Sequence, residues 1–424
     1  MSPEFWYRLS FFIAALLLTD ILLYFGLKRL IPDKKKDKKN KRSFALGYFG
    51  LTLLYIIYAS SHFLYIINNY ENYESYRQLF FITGAFLILY LPKILMLIFI
   101  TAERILLFFI QFISFLFQHK KHYDFVRALH RFKLFSWVGY ILGWCLFAYM
   151  IHGMINTRTD FQVREYNISF KKLPEKFDGI RILHISDTHL GSFFSPRELE
   201  PAFTKMQEAH PDLIVFTGDM INIEAAEATP YVEFFRKLNA PLGKFAVLGN
   251  HDQDDYMKVK QLQISDPEDS VLSGIITSMG FELLRNRNIS IKKDQDSIVL
   301  IGVDSWGLPP FRQRGKLHEA MKGTDSRSFS ILLSHIPTHW SVEVKGSTNI
   351  DLTLAGHTHA MQLAAEFRGF RWSPVQYFYP EYWGLYYWGR QVLHVNPGLG
   401  YLGFPGRIGV PPEITVLTLQ RDQM

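Results

Sequence analysis

Residues 5–27 are almost all apolar, with Arg8 and Asp20 as the charged exceptions. A stretch of that length matches the roughly 20 residues that cross a bilayer as a helix. It is long for a signal-peptide core, and RLIPDKKKDKKNKR follows it in place of a small-residue cleavage site. It therefore reads as an uncleaved span. Residues 43–67 predict a second span. Residues 79–100 predict a third, interrupted by Pro92 and Lys93, and residues 134–154 a fourth. Residues 105–117 are also apolar but short, and read as an interfacial helix or an extension of the third span. Four such segments in succession predict an all-α four-helix transmembrane region over 1–154.

From Ile180 the period changes. IRILHIS, DLIVFTG, KFAVLG, SIVLIGV, SILLS and DLTLAG are short β-rich segments, apolar on both faces, as in strands covered on both sides. SPRELEPAFTKMQEA and TPYVEFFRKLNA carry helical spacing between the first of them. Ser195 is placed to cap the first helix, with Pro196 at its first position. The pattern predicts a layered α/β domain over 155–424.

Charge sharpens the membrane half. Of a formal net charge of +7 over 424 residues, much lies in two segments flanking apolar stretches. Lys28–Arg42 holds nine Lys or Arg, and QHKKHYDFVRALHRFK is basic again, whereas NNYENYESYRQ between them has one Arg. Basic loops stay cytoplasmic. Four crossings then place the C-terminal domain on the extracytoplasmic side of a cell membrane. If 105–117 crossed as well, that domain would be cytoplasmic. No basic helix or RNA-binding signature occurs in the C-terminal part, so no nucleic-acid partner is expected. The single cysteine, Cys145, excludes an intrachain disulfide.

Polar residues collect where the predicted strands end. Asp187 and His189 follow the first, Asp219 the second, and Asn250, His251 and Asp252 the third. His335 follows ILLS, and His357 and His359 follow DLTLAG. Taken singly, an Asp there is a cap or turn residue and a His is structural. Taken together at the carboxyl ends of strands, where α/β sheets bind ligands, they form one cluster. Oxygen donors with imidazoles suit divalent Mn, Fe or Zn. Two ions roughly 3.5–4 Å apart, bridged by one carboxylate, would use the whole set and activate water against a phosphate ester.

ISDTHLG, VFTGD, VLGNHD, LLSHIP and LAGHTH resemble the five motifs of the calcineurin-like metallophosphoesterase superfamily, over roughly residues 180–419. With its multi-span N-terminus the chain resembles the membrane-anchored subgroup, the YkuE-type enzymes and the transmembrane proteins with a metallophosphoesterase domain. VNPGLGYLGFPGRIGVPPEITVLTL is similar to that subgroup's closing motif. The resemblance implies a sandwich of two central β-sheets flanked by helices, and two metals. Asp187, His189 and His359 would hold the first, and Asn250, His335 and His357 the second, with Asp219 bridging. His251 would contact the phosphate and protonate the leaving oxygen, with Asp252 orienting it. One departure is Ala360-Met361-Gln362, where the subgroup usually has Gly-Gly-Gln, which predicts a narrower pocket. His184, Asp304, His339 and His394 read as structural.

The resemblance implies a membrane-anchored hydrolase acting on a phosphodiester, phosphomonoester or pyrophosphate. A lipid-linked substrate, such as a UDP-diacylglucosamine-like pyrophosphate, is one expectation. A tethered phosphatase or cyclic phosphodiesterase for soluble substrates is another, and an inactive sensor a third. Residues 367–388 hold eleven aromatics, which read as packed core, a rigid lid, or a platform at the membrane interface.

Overall fold

The computed structural model describes residues 3–30, 37–68, 73–116, 133–253 and 267–422. The chain forms two compact units, Met1–Asn69 with Phe81–His152, and Tyr70–Phe80 with Gly153–Met424. Residues 31–36, 69–72 and 117–132 of the charged loops lie outside the described residues.

The first unit is built from α1 (Pro3–Lys28), α2 (Asp37–Asn68), α3 (Tyr73–Leu116) and α4 (Leu134–Ile155). Ser10–Lys28, Arg77–Ile113 and Leu134–Thr159 are long and apolar enough to cross a membrane. Residues 43–67, expected as the second span, fall inside α2, which is not among these three. Pro92 does not interrupt α3 but sits in its interior. A proline removes one helical N–H, and helices in membranes tolerate this where neighbours satisfy the freed carbonyl. Residues 105–116 continue the same helix. Its 44 residues make about 66 Å at 1.5 Å per residue, twice the roughly 30 Å of a hydrocarbon core.

The charge at Asp20 is resolved by neighbours. Its buried carboxylate accepts hydrogen bonds from Tyr48 Oη (2.9 Å), Thr52 Oγ1 (2.8 Å), Tyr90 Oη (3.0 Å) and Lys93 Nζ (2.7 Å), which ties α1 to α2 and α3. A buried charge is tolerated only when paired and hydrogen-bonded in this way. Lys93 is therefore an ion-pair partner within the bundle.

The second unit contains two six-stranded sheets and a separate hairpin. The strands are β1 (Gln162–Phe170), β2 (Arg181–Ile185), β3 (Leu213–Phe216), β4 (Lys244–Ala246), β5 (Glu282–Leu283), β6 (Arg287–Lys293) and β7 (Asp296–Gly302). They continue as β8 (Ser330–Leu333), β9 (Leu352–Ala355), β10 (Ala365–Phe367), β11 (Phe370–Trp372), β12 (Gly384–Trp388), β13 (Gln391–Val395) and β14 (Glu413–Arg421). One sheet runs β1-β14-β2-β3-β4-β5 and the other β12-β13-β9-β8-β7-β6. The six strands expected from sequence are β2, β3, β4, β7, β8 and β9.

Alternation along these strands builds the layers. Ile182, Leu213 and Val215 of the first sheet pack with Leu300, Ile331, Leu333 and Leu354 of the second, forming the core between them. The alternate residues Leu183, Ile185, Ile214 and Phe216 face outward. Against them pack α5 (Glu200–Glu208), α6 (Val232–Lys237) and α7 (Pro267–Ser278) through Phe203, Met206, Phe235, Leu272 and Ile276. Ile301 and Leu332 face outward on the second sheet, against Leu317 and Trp340. Ser195 does cap its helix, accepting from Arg197 N while Glu198 accepts from Ser195 N, but the first turn, Pro196–Leu199, is 3-10. β2, β3 and β4 are mutually parallel, as are β7, β8 and β9, so the carboxyl ends within each set share one edge.

Candidate metal centre

Strand geometry delivers each candidate side chain, and the backbone then turns sharply. Asp187 (φ 50°), His189 (42°), Asp219 (57°), His357 (71°) and His359 (49°) all adopt left-handed conformations. Non-glycine residues rarely do so, and such strain gathers at functional sites. The two sheets are stitched there. The Asp187 carboxylate, after β2, accepts the His357 amide, after β9, at 2.9 and 3.0 Å. Gly356 allows this approach, since a Cβ on it would run into Ser186 and the Asp187 carboxylate.

The cluster forms two nests with a third group between them. Asp187, His189 and His359 bring ligand atoms within 4.8 Å of one another in one nest, and Asp219, His335 and His357 in the other; His189, Asp219 and His251 form the third group, which links the two. His189 Nε2 lies 3.1 Å from His359 Nε2, and His359 Nε2 3.3 Å from Asp187 Oδ1. Asp219 Oδ2 lies 3.1 Å from His335 Nε2 and 3.7 Å from His189 Nε2, so its carboxylate faces both nests. Asn250 is fully buried, and neither its Oδ1 nor its Nδ2 has a partner.

Two ring orientations are set from outside. His335 Nδ1 donates to the Thr217 carbonyl (2.7 Å), which leaves Nε2 turned toward Asp219. His357 Nε2 lies 3.0 Å from Tyr379 Oη, and its Nδ1 is buried without a partner. Partners of this kind fix the tautomer of metal-binding histidines.

Electrostatics agree with a cation site. Burial raises the Asp187 and Asp219 carboxyls, yet His359 and His335 beside Asp187, and His335 and His251 beside Asp219, hold both below the usual carboxylate range. Burial keeps His189 well below its ordinary value and takes His357 down to about 3. His335 moves the other way. Burial lowers it, but Asp219 and Asp187 lift it to about 9. Two closed-in carboxylates draw positive charge, which His335 supplies as a proton here; a metal ion would take that place and require His335 to be neutral. The donor set and the unpartnered atoms of Asn250, His335 and His357 fit divalent metal.

Residues 180–361 match the calcineurin-like phosphoesterase family, and residues 6–158 match the transmembrane domain described as belonging to a probable calcineurin-like phosphoesterase. The chain is 33% identical to the uncharacterized metallophosphoesterase YkuE of Bacillus subtilis, over 61% of this chain and 85% of that protein. This chain belongs to the calcineurin-like phosphoesterase family. It is a membrane-associated metallophosphoesterase. It is 28% identical to the transmembrane protein with metallophosphoesterase domain of Danio rerio, over 64% of this chain, and spans 60% of that relative's length. UDP-2,3-diacylglucosamine pyrophosphatase LpxG of Chlamydia muridarum is 27% identical, over 58% of this chain and 86% of that protein. The family uses divalent metals, and the His/Asp clusters are groups that could hold them.

Against the family expectation, Asp252 does not orient His251. His251 Nδ1 donates to the Asn222 carbonyl at 2.8 Å, which leaves Nε2 as the titrating nitrogen. The Asp252 carboxylate instead accepts backbone amides from Asp219 (2.7 Å), Met220 (2.9 Å), Ile221 (3.3 Å) and Gly249 (2.9 Å). Adjacent side chains at a turn diverge, so Asp252 binds the two loops together, and the role falls to Asn222. Asn222 is held in turn by buried Glu227, which accepts amides from Gly191, Asn222, Ile223 and Glu224. Burial lifts Glu227 to about 7 against those four donors. Asn222 stands three residues after Asp219 and was legible as a neighbour of the motif. Glu227 carried no sequence signal, and Tyr379 was one of the eleven aromatics of residues 367–388 with nothing to link it to the site.

Ala360, Met361 and Gln362 continue the left-handed path at φ 46°, 55° and 53°. That is why glycine suits the first two positions. The methyl of Ala360 is buried against Val375, Tyr382 and Val410, while Met361 is 51% exposed. Gln362 Nε2 donates to Phe404 O (2.7 Å) and Gly406 O (2.8 Å), fastening the closing segment. Met361→Gly removes left-handed strain of about 1–2 kcal/mol at small loss of burial. It should raise the thermal midpoint by roughly 2–4 °C, read by calorimetry on the full chain; a lowered midpoint contradicts this.

The remaining histidines lie apart from both nests. His184 and His394 face each other between the sheets with Nδ1 atoms 3.0 Å apart, and His184 also meets Thr217. His339 pairs with Ser334 and Glu343. Asp304 pairs with Arg285 at 3.1 Å.

Proposed function

We propose that this chain hydrolyses a lipid-linked phosphodiester or pyrophosphate at the junction of its two sheets, with Asp187, His189 and His359 on one metal, Asn250, His335 and His357 on the other, and Asp219 on both. One observation carries the reading: in a membrane-associated chain two carboxylate–imidazole nests lie side by side, and Asp219 of one has its carboxylate 3.7 Å from His189 of the other. When bound, two divalent ions neutralise charge on the phosphoryl oxygens and lower the pKa of water. The protein's own part is to orient and to move a proton. Asn222 holds His251 by Nδ1, which leaves Nε2 to take up a proton and pass it to the leaving oxygen. Burial lowers His251, and Asp219 and the Asn222 carbonyl oppose this by favouring the protonated ring that the step needs.

Residues 1–154 are the membrane region and 155–424 the catalytic domain, in this reading. The reading counts α2 as a span beside the three helices that qualify by length and composition, and with four crossings and the basic loops inside it has catalysis on the extracytoplasmic face. That side favours a phospholipid-like or polyprenyl-linked substrate over a nucleotide-linked one. The name of the LpxG relative supports a pyrophosphate between lipid and headgroup.

The full chain in vesicles, loaded with Mn, should cleave an embedded polyprenyl or diacyl pyrophosphate at least roughly tenfold faster, by kcat/KM, than bis-p-nitrophenyl phosphate in water. Equal rates on both would leave a tethered enzyme for soluble substrates. Protease protection of the C-terminus in sealed vesicles checks the side, and cleavage only from the cytoplasmic face would reverse it.

A further inference from the structure

The eleven aromatics of residues 367–388 divide in the structure. Tyr382 and Trp383 are core, and Tyr379 meets His357. Phe367, Phe370, Tyr377 and Phe378 are 71, 69, 74 and 72% exposed. Soluble surfaces rarely gather so much bare aromatic area without a partner.

Their presentation is rigid. β10 and β11 pair antiparallel, with Phe367 opposite Phe370 and Glu366 opposite Arg371. The two-residue turn between them, Arg368 (φ 49°) and Gly369 (φ 84°), is left-handed at both positions, as type I′ hairpins require. It holds both phenyl groups on one face of the hairpin tip, with the Arg368 guanidinium 5.5 Å from the Phe367 ring centre. The base is braced. Glu366 accepts from Arg371 Nε (3.0 Å) and from Arg164 at 2.6 and 3.1 Å. Tyr382 Oη donates to Arg371 O (2.9 Å). Ser373 caps the turn Pro374–Tyr377 and donates to Ala360 O (2.8 Å), beside the metal-site turn.

We infer that this hairpin tip and the adjoining Tyr377–Phe378 turn seat the catalytic domain on the bilayer, with the aromatic rings in the headgroup zone and Arg368 among anionic headgroups. Phenyl and phenol groups favour that zone, and a guanidinium beside them suits anionic lipid. The membrane association of the chain supplies the surface within reach. A bound bilayer would lie against a segment whose other end touches His357 through Tyr379, so the site would open close to lipid. The inference rests on membrane association and not on the choice of substrate.

The test uses the full chain in vesicles of phosphatidylethanolamine and phosphatidylglycerol. Cys145→Ser removes the one cysteine, and Phe370→Cys, Phe378→Cys or Arg327→Cys then receives a spin label. Arg327 has an 89% exposed side chain and serves as the water-facing control. Labels at 370 and 378 should collide with oxygen in preference to a nickel chelate, and the label at 327 should show the reverse. A water-like ratio at 370 and 378 overturns the inference. So does protection from both reagents, which would mean that a protein or second copy covers the tip. The readout needs no turnover, so it separates this inference from the catalytic proposal. Phe367→Ser/Phe370→Ser should also cut hydrolysis of a vesicle-embedded substrate roughly fivefold or more, while bis-p-nitrophenyl phosphate turnover stays within about twofold.

Discussion

Asp219→Ala is expected to abolish metal-dependent turnover, because one nest loses its only carboxylate and the other loses the carboxylate facing its His189. Its Oδ2 faces His335 at 3.1 Å and His189 at 3.7 Å, and Oδ1 accepts the His251 amide at 2.9 Å. Loss of an outer partner of a metal site costs about 10–100-fold, so a residue inside one nest and facing the other should cost more than ~10³-fold. Metal content measured by mass spectrometry should fall from two equivalents to one or none. Asp219→Asn keeps an acceptor for the His251 amide but not the charge, and should share the metal deficit. Two retained metals in Asp219→Asn, with full activity, would show that the carboxylate does not bridge.

The second large effect separates acid from ligand. His251→Ala should retain both metals yet lose ~10²–10⁴-fold in kcat, the usual worth of a positioned general acid. The loss should be smallest for p-nitrophenyl esters, whose leaving group needs no proton, and largest for alkyl esters. His251 stands with its Nδ1 committed to the Asn222 carbonyl at 2.8 Å and its ring edge-on to His189, 4.9 Å between centres. A fall in metal content equal to that of Asp219→Ala would make His251 a ligand and end the division of roles.

The strands buried on both faces announced themselves by apolar segments, because burial on two sides leaves little choice of residue. β2, β3, β8 and β9 belong to that class, and the metal-site motifs follow these four strands and β4. The edges of the sheets were silent. β1 is QVREYNISF, half-exposed along most of its length, and became a strand by pairing in parallel with β14 over nine residues. That pairing joins segments some 250 residues apart, and no local pattern encodes it. The predicted helix over 229–240 shrank to α6, Val232–Lys237, behind a 3-10 turn at Ala225–Tyr231. Glu227 draws that turn inward onto four loop amides, a tertiary demand that local propensity does not carry.

The membrane half shows the same split. Apolar length identified the helices, since composition alone decides whether a segment tolerates lipid. Length did not say that Pro92 lies inside α3, nor that Asp20 and Lys93, 73 residues apart, would meet at 2.7 Å. Buried charge needs a partner, but only packing chooses which.

By itself the sequence determined the chemistry: which carboxylates and imidazoles follow which strands, and the membrane attachment. Those depend on residue type and spacing, which a chain displays openly. Tertiary structure decided the partnerships. It gave His251 to Asn222, turned Asp252 onto backbone amides, placed Tyr379 behind His357, and sorted the aromatic segment into core and bare hairpin tip. Each is a contact between loops of different strands, and its geometry exists only once the two sheets have closed on each other.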